Sequence, residues 1–484
     1  MTPIRVVVVG GGIAGLVTAH RVVELTRERG LPLALGLLEA GPRLGGVIGT
    51  ERVDGFVLEA GADSLISEKP WGLALAERLG LGPRLCGTDD RYRRTYVVRD
   101  RALHPLPEGF LLLAPTRIGP IVRSRLLSWR GKARMALDLV LPRGGTDGDE
   151  SLGRFVRRRL GREALERIAA PLVAGIYSAD PDRLSLEATL PRFLALEREH
   201  RSLILGLRRT AATRERAAAS GARWSLFVTL AGGMGELVDA LVARLPAGAA
   251  RLGCPVVALA RGAPDAAWQV HVADGTSVPA DAVVLAGEAH RMAPLVKDVD
   301  ADLARRLEGI PYASSAGVAL AYPRAAIGHP LDGFGFIVPR EERRAALACT
   351  FASVKYPGRA PDGVVLLRVY LGGARGEGVL EQDDAALVAL AHADVAELLR
   401  IEGRPVLSRV WRHPAAMPQY EVGHLGRVVE IEAHVGALPG LALAGAAYRG
   451  VGVADCVRSG EEAADRVVGE AERRRADRRA VVAI

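Results

Sequence analysis

The most restrictive feature of the chain is a glycine-rich turn that lies between a short apolar run and a helical pattern near its start. The run Ile4–Val9 is rich in β-branched residues and predicts a buried parallel strand. The turn Gly10-Gly-Gly-Ile-Ala-Gly15 and apolar residues at helical spacing follow, and Leu33–Leu38 predicts a second strand. The chain therefore begins with a complete βαβ unit, which indicates a parallel sheet and an α/β fold.

The spacing of these glycines predicts a dinucleotide site. Gly10 permits a tight turn, Gly12 lets a pyrophosphate approach backbone N–H groups, and Gly15 lets the helix pack closely on the strand. Glu39 ends the second strand, where a carboxylate accepts both ribose hydroxyls of adenosine and disfavours the 2′-phosphate of NADP. The alternative is an ordinary βαβ turn without a ligand. The predicted dinucleotide contacts here are Gly10, Gly11, Gly12, Ile13, Ala14, Gly15, Glu39 and Ala40.

Composition excludes several classes of protein. The 484 residues suffice for two or three domains, and 49% hydrophobic with 25% charged residues excludes a disordered or fibrous chain. The 64 basic residues exceed the 56 acidic ones by only 8, and this balance gives no indication of nucleic-acid binding. Only four of the basic residues are lysines. The four cysteines lie far apart, so we predict neither a disulfide framework nor a metal site.

The start of the chain and its hydropathy predict a cytoplasmic protein. The segment before the first strand is too short and too polar for a signal peptide. No run of about 18 apolar residues occurs, so no transmembrane helix is expected.

Strand and helix patterns along the chain predict an interleaved architecture. Strand patterns for the nucleotide-binding sheet fall in residues 1–70, 225–290 and 435–470, which we assign to one discontinuous domain. Helical patterns dominate residues 71–207. A second sheet is predicted mainly from residues 291–434, with smaller pieces of the middle region, and residues 471–484 form a charged tail.

Three further motifs resemble the flavin amine-oxidase superfamily. They are Glu39-Ala-Gly-Pro-Arg43-Leu-Gly45-Gly46, Gly55-Phe-Val-Leu-Glu59-Ala-Gly61-Ala-Asp63-Ser64 and Gly445-Ala-Ala-Tyr-Arg-Gly450-Val-Gly452-Val453. The resemblance implies FAD as the cofactor, in a Rossmann-type domain interleaved with a mixed-sheet substrate domain and a helical insertion. It adds a set of expected FAD contacts: Arg43, Gly45, Gly46, Val47, Gly61, Ala62, Asp63, Ser64, Val256, Gly445, Gly452 and Val453.

Other motifs narrow the resemblance to the porphyrinogen oxidases of haem synthesis. They are Pro171-Leu-Val-Ala-Gly175-Ile-Tyr177, Gly333-Phe-Gly-Phe336 and Met417-Pro-Gln-Tyr420-Glu-Val-Gly-His424. The family's chemistry implies three hydride transfers from a porphyrinogen to FAD, with O2 as the final acceptor and hydrogen peroxide as a product. The bacterial branch contains coproporphyrinogen III oxidases and protoporphyrinogen oxidases, and we expect the former. A flavin amine or carotenoid oxidoreductase is the third alternative.

The resemblance also implies substrate-binding residues, namely Arg93, Gly175, Ile176, Tyr177, Phe334, Gly335 and Phe336. The glycine and aromatic positions are expected to form two walls of an apolar slot, with Arg93 binding a propionate at its rim. The alternatives are buried core aromatics and a solvated charged turn. Lys69 is the candidate catalytic residue, because a cation beside the flavin binds a propionate or stabilises reduced oxygen. His413 departs from the family, which usually has tryptophan there.

Two partner predictions remain. The apolar segment 110–113, with Arg117, Arg123 and Arg125 after it, predicts peripheral contact with a membrane, and an internal apolar segment is the alternative. The resemblance also implies downstream enzymes of haem synthesis as partners.

Overall fold

A five-stranded parallel sheet lies at the centre of the nucleotide-binding part. The computed structural model describes residues 2–111, 113–144, 148–218, 225–262, 267–374 and 376–482. In spatial order the strands are Ala250–Arg251, Leu33–Leu38, Ile4–Val9, Ala282–Leu285 and Leu441–Leu443. The sheet thus takes strands from the start, the middle and the end of the chain, and it contains the predicted βαβ unit.

The central strand Ile4–Val9 is buried on both faces. Val6 and Val8 pack into one hydrophobic core with helix Ile13–Glu28, whereas Val7 and Val9 pack into a second core on the opposite face. Since successive side chains of a strand point to opposite faces, a continuous run of valines fits a parallel sheet that is covered on both sides.

The second large sheet has seven strands and mixed pairing. In spatial order they are Leu407–Pro418, Tyr312–Pro323, Val364–Gly372, Ala346–Phe351, Gly335–Ile337, Thr95–Arg99 and Ala102–Pro105. Helix Asp384–Leu399 covers one face through Leu387, Ala391 and Val395. The other face contacts Leu58 at one end and the helical region at the other.

Smaller sheets and short strands connect these layers. One three-stranded sheet has the order Leu65–Ile66, Phe227–Leu230 and Leu85–Gly87, and another has Val256–Arg261, Trp268–Val272 and Ser277–Ala280. Thr50–Val53 pairs with Phe56–Glu59, and Phe110–Leu111 pairs with Ala114–Pro115. Several of these strands fall within residues 71–207, where helical patterns dominate the sequence.

Helices form most of the remaining structure. Those of the middle region are Pro70–Arg78, Ile118–Arg123, Trp129–Ala136, Leu152–Leu160, Arg162–Ala164, Leu165–Ala169, Ala170–Tyr177, Leu186–Thr189, Pro191–His200 and Leu203–Ala218. The later helices are Gly235–Val242, Ala289–Val296, Ala301–Glu308, Ala352–Lys355, Asp384–Leu399, His424–Gly436 and Val453–Val482. Short 3-10 turns occur at Gly82–Arg84, Asp90–Tyr92, Leu137–Leu139, Arg324–Ala326, Arg340–Glu342 and Glu377–Glu381. The domain boundaries given in the sequence analysis remain predictions.

A buried ion pair organises the helical region. Arg159 and Asp138 are almost fully buried, and Arg159 Nε donates to Asp138 Oδ1 at 2.7 Å. Ser202 Oγ donates to Asp138 Oδ2, also at 2.7 Å. Removing either charged partner would leave an uncompensated charge in the interior. The helices that carry Asp138 and Arg159 therefore pack only in an arrangement that keeps the two side chains together.

The final helix, Val453–Val482, packs along helix Ile13–Glu28. Thr18 Oγ1 donates to the carbonyl oxygen of Gly460 at 3.1 Å, and a Cβ at Gly460 would lie 2.6 Å from the carbonyl oxygen of Ala14. A glycine is therefore needed where the two helices approach. None of the helices in the described ranges is long and apolar enough to cross a membrane.

Candidate functional site

The glycine turn has the geometry of a nucleotide cradle. Gly10 has a φ of +104°, and its N–H donates to the carbonyl oxygen of Leu38 at 2.8 Å. A Cβ at Gly15 would overlap the carbonyl oxygen of Gly10, so helix Ile13–Glu28 approaches the strand only because this residue is glycine. A Cβ at Gly12 would meet no atom nearer than 4.0 Å, so the space before the helix is open to a ligand. The first N–H groups of the helix face this space without partners in their own helix.

Glu39 is held at the carboxyl end of its strand by backbone N–H groups. Its carboxylate accepts from Gly11 at 2.6 Å and from Gly41 at 2.7 Å, which fixes its orientation beside the glycine turn. The carbonyl oxygen of Glu39 accepts from Cys254 at 2.9 Å, and this contact brings the segment before Val256 to the same end of the cradle. Ala40 is exposed at the end of the strand.

The second pair of glycines contacts the first turn directly. Gly45 N–H donates to the carbonyl oxygen of Gly11 at 2.8 Å, and a Cβ at Gly46 would lie 3.1 Å from Gly12 Cα. The Arg43 guanidinium binds the carbonyl oxygens of Gly46, at 2.6 Å, and of Ile48, at 2.9 Å. Arg43 thus shapes the loop after Glu39 through backbone contacts.

Two further segments complete the cradle. A Cβ at Gly61 would overlap the carbonyl oxygen of Val47, so the segment Gly61 to Ser64 lies against the second glycine loop. At the other end of the chain, a Cβ at Gly445 would lie 3.9 Å from Ala14 Cβ. Helix Val453–Val482 contacts this point, because its Ser459 hydroxyl accepts from the Gly445 N–H at 3.0 Å. A long nucleotide with two phosphates fits this arrangement of glycines and helix starts.

Lys69, Asp455 and Tyr177 lie together beside this end of the cradle. Lys69 Nζ donates to Asp455 Oδ2 at 2.5 Å, and the same oxygen accepts from the Gly452 N–H at 3.2 Å. The Asp455 side chain is 5% exposed, whereas that of Lys69 is 41% exposed. Burial, with a smaller effect of the Asp455 charge, raises the pKa of Tyr177 to about 12. Tyr177 therefore stays neutral at physiological pH.

The predicted walls of the substrate slot come from facing elements. Gly175 lies in helix Ala170–Tyr177, where an added Cβ would be 4.0 Å from Ile337 Cγ2 and Ala348 Cβ of the seven-stranded sheet. Ile176 is 46% exposed beside it. Between the helix and the sheet, the chain thus presents an apolar edge that is open to a ligand.

The residues of the second predicted wall do not all face the helix that carries Gly175. Phe336 is 1% exposed and packs against Phe351, with ring centroids 6.2 Å apart, in the core below the sheet. Because side chains alternate along strand Gly335–Ile337, Phe336 points away from the helix that carries Gly175, and Ile337 points towards it. Phe334 is half-buried, and Gly335 has a φ of +147°.

The arginine predicted at the rim lies next to this wall. Arg93 is exposed, and the Phe334 N–H donates to the carbonyl oxygen of the following residue, Arg94, at 2.7 Å. The Arg94 guanidinium pairs with Asp332 at 2.6 Å. The Arg94 guanidinium is thus held by a carboxylate. The binding of a propionate by Arg93 stays a prediction.

Comparison with known protein families decides the class of cofactor. Residues 13–468 match the family described as flavin containing amine oxidoreductase. The chain belongs to this family. FAD is therefore the nucleotide that the cradle binds, as the glycine motifs at both ends of the chain predict.

Individual members of the flavin family cover almost the whole chain. A coproporphyrinogen III oxidase from Bacillus subtilis (strain 168) is 36% identical over 460 residues, which are 95% of this chain and 97% of that protein. A protoporphyrinogen oxidase from Bos taurus is 34% identical and covers 96% of this chain and 98% of its own length. A solved structure from Exiguobacterium sp. 255-15 has a TM-score of 0.86 at 30% identity and covers 98% of this chain and 100% of its own.

Several buried charges of the flavoprotein escaped the sequence analysis. Lys355 Nζ lies 3.5 Å from Asp63 Oδ2, Arg359 pairs with Glu59 at 3.2 Å, and Arg368 Nη2 donates to the Ala60 carbonyl oxygen at 2.9 Å. Burial raises the pKa of Glu59, whereas for Asp63 the nearby Lys355 and Arg368 outweigh burial and lower the pKa. These cations hold segment 59–64, which includes predicted flavin contacts, and no sequence motif marks them.

His413 contacts the same segment. Its Nε2 lies 2.9 Å from the carbonyl oxygen of Ala60, so this nitrogen carries the proton and donates to the carbonyl. Burial lowers the pKa of His413 below its ordinary value, which keeps the ring neutral at physiological pH. His413 thus supports the flavin-binding segment from a position where the family usually has an indole.

Proposed function

We propose that this flavoprotein oxidises coproporphyrinogen III to coproporphyrin III in haem synthesis, with O2 as the electron acceptor and H2O2 as the reduced product. The observation that carries the proposal is the near-complete coverage, at 36% identity, of a coproporphyrinogen III oxidase from Bacillus subtilis. Protoporphyrinogen IX is the second candidate substrate, because the bovine relative named for it is 34% identical over a similar span.

The residues of the site have distinct tasks in this reaction. Bound FAD supplies the two-electron acceptor that a six-electron oxidation uses three times. Gly175 and Ile176 form the apolar side of the slot and exclude water from the macrocycle. Neutral Tyr177 closes the slot towards Asp455 without adding a charge. No side chain is needed as a base if the pyrrole nitrogens release their protons to solvent.

Lys69 binds a substrate carboxylate in this proposal while it remains paired with Asp455. An ammonium group has three N–H donors, and one of them is used by Asp455. The Lys69 side chain is 41% exposed, so its other two N–H donors are able to reach a substrate propionate. Together with Arg93, which we predict to bind a second propionate, Lys69 favours the substrate with four carboxylates over the one with two.

Turnover of the two substrates tests the proposal. Porphyrin fluorescence is measured in air for coproporphyrinogen III and for protoporphyrinogen IX, with hydrogen peroxide determined in parallel. We expect kcat/KM to be about tenfold higher for coproporphyrinogen III, since two additional ion pairs at a wet rim contribute about 0.2–1 kcal/mol each. A preference for protoporphyrinogen IX would favour the second candidate, and no porphyrin from either substrate would exclude both.

We also propose peripheral contact with an anionic membrane, at the inner face of the cell membrane. The apolar segment 110–113, from which the sequence predicts membrane contact, does not support this proposal. Phe110 and Leu113 are buried in the core of the helical region, and Leu112 lies outside the described residues. The support comes from Ile118 and Val122, one turn apart and about half exposed, and from Trp129, which is 72% exposed.

Cations surround these exposed apolar residues. Lys132 Nζ lies 4.5 Å from the centre of the Trp129 ring, and Arg123 and Arg130 are also exposed. Exposed indoles and aliphatic side chains beside cations are typical of proteins that insert shallowly into anionic lipid. We expect the native protein to sediment with anionic vesicles and the variant Trp129→Ser to sediment about tenfold less. Equal sedimentation of both proteins, or no sedimentation of the native one, would contradict the proposal.

A further inference from the structure

A small cavity lies behind segment 59–64, which we predict to bind the flavin. Its volume is about 20 Å³, and it lies between residues 57–63, the strands of the seven-stranded sheet and the turn after helix Ala352–Lys355. Val57, Leu58, Ala319, Ala352 and Leu366 provide its apolar lining. The polar lining consists of Glu59, Asp63, Tyr356, Arg359 and Arg368. The cavity thus joins the flavin-binding part to the second sheet.

Three buried polar groups in this lining have no hydrogen-bond partner among the described residues. They are the Tyr356 hydroxyl, Arg368 Nε and Arg359 Nη1, the last of which lies 3.2 Å from Glu59 Oε1 in an ion pair without hydrogen-bond geometry. Tyr356 and Arg359 are each 2% exposed, and Arg368 is 7% exposed, so bulk water does not reach these groups. The Ser64 hydroxyl is also near Tyr356 and donates its proton to Asp63 Oδ1 at 2.7 Å, but no hydrogen bond joins Ser64 to the Tyr356 hydroxyl. Buried donors of this kind are nearly always satisfied in native proteins.

The volume of the cavity matches a single water molecule. A water needs about 10–15 Å³ of space and two to four polar partners, and both conditions are met here. Its oxygen is able to accept from Arg359 Nη1 and Arg368 Nε. Its protons are able to reach the Tyr356 oxygen and one of the two carboxylates, those of Glu59 and Asp63, which line the same space.

The charges around the cavity favour water over an anion. Lys355, Arg359 and Arg368 supply positive charge, but Arg359 already pairs with Glu59, and Lys355 pairs with Asp63. Because both carboxylates line the cavity, a halide there would face two negative groups at close range. A neutral molecule that both donates and accepts satisfies the lining without this repulsion.

We propose that one water molecule occupies this cavity and bridges Tyr356, Arg359 and Arg368. Arg368 Nη2 donates to the Ala60 carbonyl oxygen at 2.9 Å, and Arg359 Nη2 donates to Thr229 Oγ1 at 2.8 Å. The water therefore connects two guanidinium groups that contact segment 59–64, Arg368 through the Ala60 carbonyl and Arg359 through Glu59. It fixes the flavin-binding segment against the second sheet whichever substrate is oxidised.

Crystallography of the purified flavoprotein tests this proposal. We expect one peak of electron density within hydrogen-bond distance of the Tyr356 hydroxyl, Arg359 Nη1 and Arg368 Nε. We expect no anomalous signal at that peak after a bromide soak. An empty cavity, or an anomalous bromide peak in it, would overturn the proposal.

Thermal and denaturant unfolding of Tyr356→Phe gives a second test in solution. If the hydroxyl is bonded to a water, its loss raises the unfolding equilibrium constant about fivefold. If the cavity is dry, the variant removes an unsatisfied buried hydroxyl, and the unfolding constant stays equal or falls. That second outcome would overturn the proposal, and the ratio of bound flavin to protein shows that the variant is folded.

Discussion

The variant Gly15→Val is expected to purify with little bound flavin. A side chain at this position overlaps the Gly10 carbonyl oxygen and also meets Ala286 Cβ at 3.3 Å, so the start of helix Ile13–Glu28 must move away from the sheet. Forcing extra atoms into a packed site costs about 1–3 kcal/mol, which corresponds to about a tenfold to hundredfold loss of FAD affinity. Titration of the deflavinated variant with FAD, followed by flavin fluorescence, measures this loss.

The control for this experiment is Gly426→Val. Gly426 also lies within a helix, His424–Gly436, but an added Cβ there meets no atom within 4 Å, and the residue is exposed. We expect its FAD affinity to equal that of the native protein. Full flavin binding by Gly15→Val would contradict the assignment of the cradle.

The variant Asp455→Asn is expected to lower kcat/KM for the porphyrinogen about tenfold while leaving the flavin content unchanged. Asparagine keeps an oxygen for the Gly452 N–H but removes the charge that holds Lys69 at 2.5 Å. Because Lys69 is 41% exposed, the expected loss of about 1.4 kcal/mol is placed below the range of about 2–5 kcal/mol for a fully buried charge pair.

A double-mutant cycle shows whether Asp455 acts through Lys69. Lys69→Ala is expected to lower kcat/KM by at least as much as Asp455→Asn, and the double variant is expected to be no worse than Lys69→Ala alone. Asp302→Asn serves as the control, because Asp302 pairs with Arg305 on the exposed face of helix Ala301–Glu308. Additive losses in the double variant would show that Asp455 does not act through Lys69.

The nucleotide-binding half of the fold was predictable because its constraints are local. Gly15 meets a steric limit set by the carbonyl oxygen of Gly10 in the same turn, and Glu39 follows at the end of the next strand. The period of apolar residues around them also sets which elements form. A chain of this kind specifies its first turn, its first helix and its class of ligand within about forty residues.

The contacts of the second half depend on residues that are distant in sequence. Lys69 and Asp455 are 386 positions apart, and Lys355 meets Asp63 across 292 positions, so no local pattern pairs them. Asp455 nevertheless has a signal, since it stands three residues after Gly452 at the start of a helix, where acidic residues accept backbone N–H groups. No sequence pattern around Lys355 marks it, and it stands out only as one of four lysines in the chain.

The orientation of Phe336 also depends on residues that are distant in sequence. The motif Gly333-Phe-Gly-Phe336 overlaps strand Gly335–Ile337, but the sequence does not state which face of that strand meets the slot. Register and strand order decide this, and both come from pairing with Thr95–Arg99 and Ala346–Phe351. The strand Thr95–Arg99 is far from the motif along the chain, so no local pattern sets this register.

Anaerobic mixing of the purified flavoprotein with coproporphyrinogen III tests the central claim most directly, because it isolates electron transfer from the substrate to bound flavin. We expect the oxidised flavin absorbance to disappear, and to do so about tenfold faster than with an equal concentration of protoporphyrinogen IX. Admission of air should then restore the absorbance and release hydrogen peroxide. Flavin that stays oxidised in the presence of coproporphyrinogen III, or that is reduced faster by protoporphyrinogen IX, would contradict the proposed substrate.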